Sequence, residues 1–450
     1  MRSGMMKSVA TGSLAAGAAV AAVAAVAAVV AVVLAQPAAG AQQTAAADPA
    51  VITTWNAVAQ TTITAPAPSG AGKANAEGFL WYGYVQAAVY NAVNGITGEY
   101  ELYEWNVKGP KGASPQAAAA AAAHGVLMEY FGSGDFPHSG TIAANLDAAL
   151  ATSLGQIPDG PAKEQGIRYG ERAAERLVEL RVDDGRFAPI VFDMPSAAGV
   201  WRPTPPAMAP FFAPWLGQVD PLMLESPQQF RPGPPPAIGS DLYVREFEEV
   251  RDYGVISGSL RTAEQTETAL FFSDVGLGPL QAGLRDLAHR RLLDISDSAR
   301  LFAAVDMSVT DSVVAVWDGK FHYGWWRPIT AIREADTDAN PNTTGVPGWT
   351  PLLVTPPYPD WPSGLNGVFG AVTQTLSRLN PGVGRVDLNM TSAAAGGITR
   401  HYEYAEDLRQ DAVDSRVWSG IHFRRADEVA FEMGTQVGNW ALDRYFAPAR

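Results

Sequence analysis

Eleven of the chain's 33 prolines fall between Pro203 and Pro236. Proline fixes φ and has no N–H to donate, so the surrounding tract, about 185–239, cannot run as a helix for any length. What flanks it has helical periodicity. From Phe79 to Ile96 the residues Leu80, Tyr84, Ala87, Ala88 and Val93 share a face, and Ala117 to Phe131 is an alanine-rich segment suited to close packing. Further helices are predicted at roughly 139–153, 162–182, 240–252, 262–273, 294–319, 364–379, 401–421 and 424–445. Alternating strand patterns are few, so the predicted fold class is all-α, built as two stacked helical bundles. The proline-rich tract reads either as a linker between halves or as a packed covering. Trp201, Phe211, Phe212, Trp215 and Phe230 favour the covering, because a solvated linker would not carry so many large rings. A second loop, about 337–362, rich in Pro, Gly and Asn, delivers the chain to the next helix, a usual place for function.

With 47% hydrophobic and 17% charged residues over 450 positions, a large core is expected. The absence of cysteine excludes disulfides, thiolate zinc sites, iron–sulfur clusters and cysteine nucleophiles. A formal charge of −14 disfavours a nucleic-acid partner. Residues 1–41 read as a secretory signal peptide: Arg2 and Lys7, an uncharged run from Leu14 to Ala35, then Ala39-Gly40-Ala41. An uncleaved anchor is the competing reading, since the run is long enough to reach across a bilayer. Cleavage would leave one secreted domain, 42–450, with no membrane partner. It would also remove two cations and no acid, taking −14 to −16.

Against that negative balance, three short motifs stand out. In Lys320-Phe-His-Tyr-Gly-Trp-Trp-Arg327-Pro328, seven helical steps of about 100° put both cations on one face. Two stacked like charges need an anion between them or free access to water, and Trp317, Tyr323, Trp325 and Trp326 argue against water. In Pro362-Ser363-Gly364-Leu365-Asn366, Ser363 suits a helix N-cap and Gly364 permits close backbone approach. That is either a plain cap or an oxyanion site. In Ser415-Arg416-Val-Trp-Ser-Gly-Ile-His422, Arg416 and His422 lie about 120° apart on a helix, able to reach one pocket. A single histidine in such a segment is more often a satisfied core or surface residue than a ligand.

Taken together, Lys320-x6-Arg327-Pro328, Pro362-Ser363-Gly364 and Ser415-Arg416-x5-His422 resemble the three-part signature of the vanadium-dependent haloperoxidases. The related type 2 phosphatidic acid phosphatases (the PAP2 superfamily) and bacterial acid phosphatases share it. The segment Gln86 to Ile96, the alanine-rich helix around His124, and Gln229-Phe-Arg-Pro232 with Pro234 to Pro236 look like the bacterial secreted haloperoxidase branch. The resemblance implies the two-bundle helical fold, with an active-site half at 294–450 and vanadate as cofactor. It implies that Lys320, Arg327 and Arg416 neutralise the vanadate oxygens, and that Ser363 and the Gly364 N–H add donors. His422 would bind the metal, and His422, Lys320 and Arg327 would form the catalytic set. Hydrogen peroxide with a halide or small organic molecule would be the substrates; a homodimer is compatible with this. In a phosphatase the same cradle would hold a phosphoryl group with His422 as nucleophile. Trp317 and Tyr358 correspond to positions flanking a halide pocket, or else pack in the core.

One departure matters. The family's Pro-Ser-Gly-His reads Pro-Ser-Gly-Leu, so Leu365 stands where an acid–base histidine is expected, and it cannot exchange protons. His322 lies about 200° round the helix from Lys320, and so points away. His401 lies elsewhere in the chain. A haloperoxidase with weakened proton transfer, a phosphatase on phosphate monoesters, and a non-catalytic oxyanion-binding homologue are the three readings.

Overall fold

The computed structural model describes residues 47–73 and 75–450, so the signal expected at 1–41 lies outside the described residues. Among the described residues, five α-helices precede the proline-rich tract: α1 (Ala50–Thr64), α2 (Asn75–Thr97), α3 (Pro115–Leu127), α4 (Ser139–Gly155) and α5 (Pro161–Leu180). After it come α6 (Asp241–Tyr253), α7 (Ala263–Asp274), α8 (Leu277–Arg290), α9 (Ile295–Tyr323), α10 (Pro328–Arg333), α11 (Gly364–Leu379), α12 (Ala405–Trp418) and α13 (Arg424–Arg444). Among the described residues no helix is long and apolar enough to cross a membrane.

Helix α9 is the axis of the fold. Every residue from Phe302 to Lys320 is buried, so no face of this segment is left to solvent, and it packs on α2 on one side and on α11 and α13 on the other. A helix buried all round must contact partners all round, which is why it joins the two groups of helices. Small residues bring neighbours close elsewhere. Ala117 to Ala123 are all buried where α3 meets α5. On α13, a Cβ added to Gly434 would sit 2.1 Å from the Gly367 carbonyl oxygen, so α11 and α13 are in direct backbone contact.

Helices α1, α8 and the short α10 were not anticipated from the sequence, and the segment expected to be helical at 401–421 begins as a strand. Strands β1 (Arg385–Ser392) and β2 (Ile398–Tyr404) form an antiparallel hairpin, with Asn389 opposite His401. Val386, Leu388 and Met390 alternate inward along β1, a period-two pattern that only the hairpin satisfies.

The proline-rich tract is a covering, as its aromatic residues indicate. Trp201 and Phe211 are buried. The Trp201 N–H donates to Gly324 O (2.7 Å), and the Arg231 guanidinium makes a two-pronged pair with Asp318 (2.7 Å each). Asp311, buried on α9, accepts from the N–H groups of Leu222, Met223 and Leu224 at 2.6, 2.7 and 2.9 Å, fixing this part of the tract to the axis.

A second buried carboxyl on α9 sets a pH dependence. Asp306 accepts from Gln281 Nε2 at 2.6 Å, but its other oxygen has no partner, and burial pushes its carboxyl up to about 7. The folded value lies above the unfolded one. The stability this group contributes is therefore complete below about pH 4 and is lost as the pH rises through about 7. Asp306→Asn, which cannot ionise, is expected to be more stable than wild type at pH 8 by a few kcal/mol and nearly equal to it at pH 4. Denaturant melts at the two pH values measure this; an identical gap at both would show that Asp306 does not titrate on unfolding.

Candidate oxyanion site

Lys320 closes α9 and Arg327 caps α10. Between them Gly324 takes φ +53, a left-handed conformation that glycine adopts without strain, and its N–H closes on Lys320 O. This corrects the expectation of a single helix face. The helix stops at Tyr323, and the two cations converge because the chain turns back. Both are fully buried. Lys320 Nζ donates to the carbonyls of Pro359 (2.7 Å) and Asp360 (3.1 Å), and Arg327 donates from Nε to Tyr358 O (2.7 Å) and from Nη1 to Ile421 O (2.7 Å). Both lie over the Tyr358 ring, at 5.0 and 4.9 Å from its centroid. Burial pushes both groups below their ordinary values, most strongly Lys320, which also faces Arg327.

The third motif needs the same correction. Helix α12 ends at Trp418 and Gly420 turns the chain at φ +77, so His422 sits in the connection to α13 and not on the helix that carries Arg416. The two still share one cavity. His422 Nε2 lies 3.0 Å from Arg327 Nη1; guanidinium only donates, which assigns Nε2 as the acceptor and the ring proton to Nδ1. Burial, then the charges of Arg327, Lys320 and Arg416, hold this imidazole well below its ordinary value, so it is neutral with a lone pair at Nε2.

Ser363 is the N-cap of α11 by backbone geometry, but its side chain does not cap the helix. Its Oγ faces the Asp427 carboxyl without a hydrogen bond of regular geometry. Asp427 accepts from Asn366 Nδ2 (2.9 Å), and burial pushes it up to about 7. Arg416 makes one long bond, Nη1 to Phe272 O at 3.4 Å. Three buried donors in the site are thus left without a partner: Arg327 Nη2, Arg416 Nε and Ser363 Oγ.

Two residues of the site were missed by sequence reasoning. Asp427 follows His422 by five positions and is hidden in the periodicity of α13. Asp360, three residues before Ser363 in the second loop, is fully buried. Its Oδ1 lies 2.7 Å from His422 Nδ1 and 3.8 Å from Arg327 Nη1, yet neither carboxyl oxygen makes a regular hydrogen bond. Burial pushes its carboxyl well above the usual range, while Arg327 and Lys320 draw it back. As expected, His322 is exposed beside Tyr323. His401 lies on the hairpin, bonded to Asn389.

Above the cradle is a cavity of about 440 Å³. Arg416 and His422 form its polar end, and Phe79, Phe272, Trp317, Leu365 and Val368 give it apolar walls. Trp317 and Tyr358 both line it, with ring centroids 5.0 Å apart, so they pack in the core and face the cavity at once. No residue of the proline-rich tract lines it. The tract supports the site from behind, where Phe212 O accepts from Trp317 Nε1 (3.2 Å).

Fold and site together define a helical-bundle protein with a buried cationic cradle beside a neutral histidine. Residues 300–449 match the family model of the VCPO second helical-bundle domain. Vanadium chloroperoxidase of Curvularia inaequalis is 28% identical over 184 residues, a match spanning 31% of this chain and 29% of that protein. In fold, the chain resembles the crystal structure of the first bacterial vanadium-dependent iodoperoxidase (TM-score 0.72, 20% identity, 89% of this chain and 97% of that one). It also resembles a holo-type bacterial vanadium-dependent chloroperoxidase (TM-score 0.68, 17% identity, 90% and 98%). The resemblance to the vanadium haloperoxidases therefore holds in sequence for the C-terminal third, and in fold for about nine-tenths of the chain.

Proposed function

We propose that the chain is a secreted, vanadate-dependent haloperoxidase-like enzyme that oxidises halide with hydrogen peroxide, slowed at its proton-transfer steps by Leu365. The observation that carries this is the set of buried donors without partners, Arg327 Nη2, Arg416 Nε and Ser363 Oγ, beside a neutral His422. Leaving a buried donor unpaired costs about 1–3 kcal/mol, more for a charged one, and a tetrahedral oxyanion satisfies all three. The residues present fit vanadate: Lys320, Arg327, Arg416, Ser363 and the Gly364 N–H would hold its oxygens and His422 Nε2 its metal. Bound there, vanadate supplies Lewis-acid activation of peroxide.

The chain's own residues supply the rest. Arg327 Nη1, which now covers Nε2 at 3.0 Å, must release that lone pair and turn its donors to the oxyanion. Trp317 and Tyr358 exclude water from the cavity end, and the apolar walls leave room for a small organic acceptor. A phosphatase would use the same donors, so the two readings differ in turnover and not in the cradle.

The test is vanadate titration of the metal-free protein, followed by tryptophan fluorescence and by oxidation of bromide or iodide. Wild type is expected to bind saturably and to gain turnover with bound vanadate, whereas His422→Ala loses both. Equal vanadate binding by the two proteins would remove His422 as the ligand. Hydrolysis of an aryl phosphate blocked by vanadate, without peroxide chemistry, would favour the phosphatase.

A further inference from the structure

A second cavity, of about 320 Å³, lies between the first helices of the chain and the start of the proline-rich tract, and it shares no lining residue with the cavity above the cradle. Its walls are aromatic. Trp81 comes from α2, Tyr130 and Phe131 from a π-helical turn (Met128–Gly132) that follows α3, Phe136 from the loop before α4, and Phe187 from the opening of the tract. Phe187 is exposed, an apolar ring at the rim. π-Helical turns are rare and recur at functional places. Asp183 and Phe187 also take left-handed backbone, at φ 54 and 59, a conformation that side chains other than glycine adopt at a cost.

Among these rings stands a cation that its partners do not neutralise. The Arg186 guanidinium lies over Tyr130, Tyr84 and Trp81, at 4.6, 5.2 and 5.4 Å from their ring centroids. Arg186 and Arg181 share the single carboxylate of Asp184, at 2.7 and 3.0 Å, and Tyr84 donates to it as well. Two guanidiniums against one carboxylate leave one positive charge over. The other charges on the lining do not cancel it: Lys73 is paired with Glu77 (2.7 Å), and Asp183 is exposed, where water screens it. Two of the aromatic side chains carry polar atoms that are also unanswered, since Trp81 Nε1 and Tyr130 Oη are buried without a regular hydrogen bond. An indole N–H only donates, so what it lacks is an acceptor.

We propose that this cavity is a second ligand site, separate from the oxyanion cradle, and that it takes a small aromatic carboxylate. The walls would stack the aryl body, and the planar fork of Arg186 would pair with the carboxylate, with the indole N–H and the phenol as further donors. An inorganic oxyanion would leave the rings unfilled. A neutral arene would leave the excess charge and the donors unanswered. The volume lies at the small end for ligand pockets, which suits an acid of one or two rings. The inference does not depend on vanadate or on the chemistry of the cradle.

The experiment is calorimetric titration of the full chain with cinnamate, with its neutral amide cinnamamide, and with the non-aromatic cyclohexanecarboxylate, each with and without vanadate. Cinnamate is expected to bind saturably at one site and the other two about tenfold or more weaker, with vanadate making no difference. Tyr130→Phe and Trp81→Phe, which keep the rings and remove one donor each, are expected to weaken cinnamate by about three- to tenfold. Arg186→Lys, which keeps the charge and loses the fork and the stack, is expected to weaken it by about tenfold or more. Absence of cinnamate binding to wild type at millimolar concentration would overturn the proposal. So would equal affinity for cinnamate and cinnamamide, displacement of cinnamate by vanadate, or unchanged affinity in Tyr130→Phe and Trp81→Phe. The two ring-conserving variants keep the test sound if Arg186→Lys fails to fold.

Discussion

Leu365→His is expected to raise vanadate-dependent bromide or iodide oxidation by about 10² to 10⁴, the range that a positioned general acid–base group contributes. Leu365 lies in the first turn of α11, next to Gly364 and one position from Asn366, and it lines the cavity shared by Arg416 and His422. A histidine in its place would stand at the site without disturbing the cations behind it. The cavity is roomy and Leu365 is only partly buried, so the substitution needs no repacking of the fully buried core. Turnover should rise while vanadate affinity changes much less, because the histidine acts on peroxide protons and not on the resting oxyanion. Steady-state rates and vanadate titration of both proteins check this. No gain in rate at unchanged vanadate affinity would mean that proton transfer does not limit turnover, and the weakened-enzyme reading would fall.

The second large effect has two opposed parts. Arg416→Met is expected to lower oxyanion affinity by about 10- to 100-fold, the worth of one charge-assisted hydrogen bond at roughly 1.5–3 kcal/mol. The same change should leave the fold as stable as before, or more stable by about 1–2 kcal/mol. Arg416 is buried, with one long bond to Phe272 O and an unpartnered Nε; burial lowers its pKa, Asp427 and Tyr358 draw it part of the way back, and Arg327 opposes its charge. Methionine keeps much of its volume among Phe272, Val368 and Ile421, which line the same cavity, and removes a poorly compensated charge. A residue retained for packing would show the reverse, a loss of stability with binding intact. Denaturant melts beside oxyanion titration distinguish the two, and destabilisation by several kcal/mol would show that Arg416 is structural.

Much of this site is legible in the sequence, for a chemical reason. Lysine, arginine and histidine at fixed spacings beside tryptophans stand out in a chain of net charge −14, and Leu365 is visible as a departure because the residues before it are so specific. Most helix positions follow from periodicity, and the span 364–379 coincides with α11. The hairpin and helices α1, α8 and α10 were not read. Helix α8 carries its apolar residues Leu277, Leu280, Leu284 and Leu287 at helical spacing, but glycines and a proline interrupt its first turns.

What the sequence by itself determined is therefore the inventory: an all-α chain with a proline-rich covering, three cations, a serine, a glycine and a histidine in three motifs. Only the tertiary structure decided how they meet. Spacing within a motif suggests a shared helix face, yet Gly324 and Gly420 end the helices inside the motifs, and convergence comes from loops held across the fold by Tyr358 O, Pro359 O and Ile421 O. Sequence distance carries no information about such contacts. Asp360 shows this most clearly: in the sequence it is one acid in a loop, and in the fold its carboxyl lies 2.7 Å from His422. Burial gives that contact its force, because it removes the pair from the water and salt that would otherwise screen it.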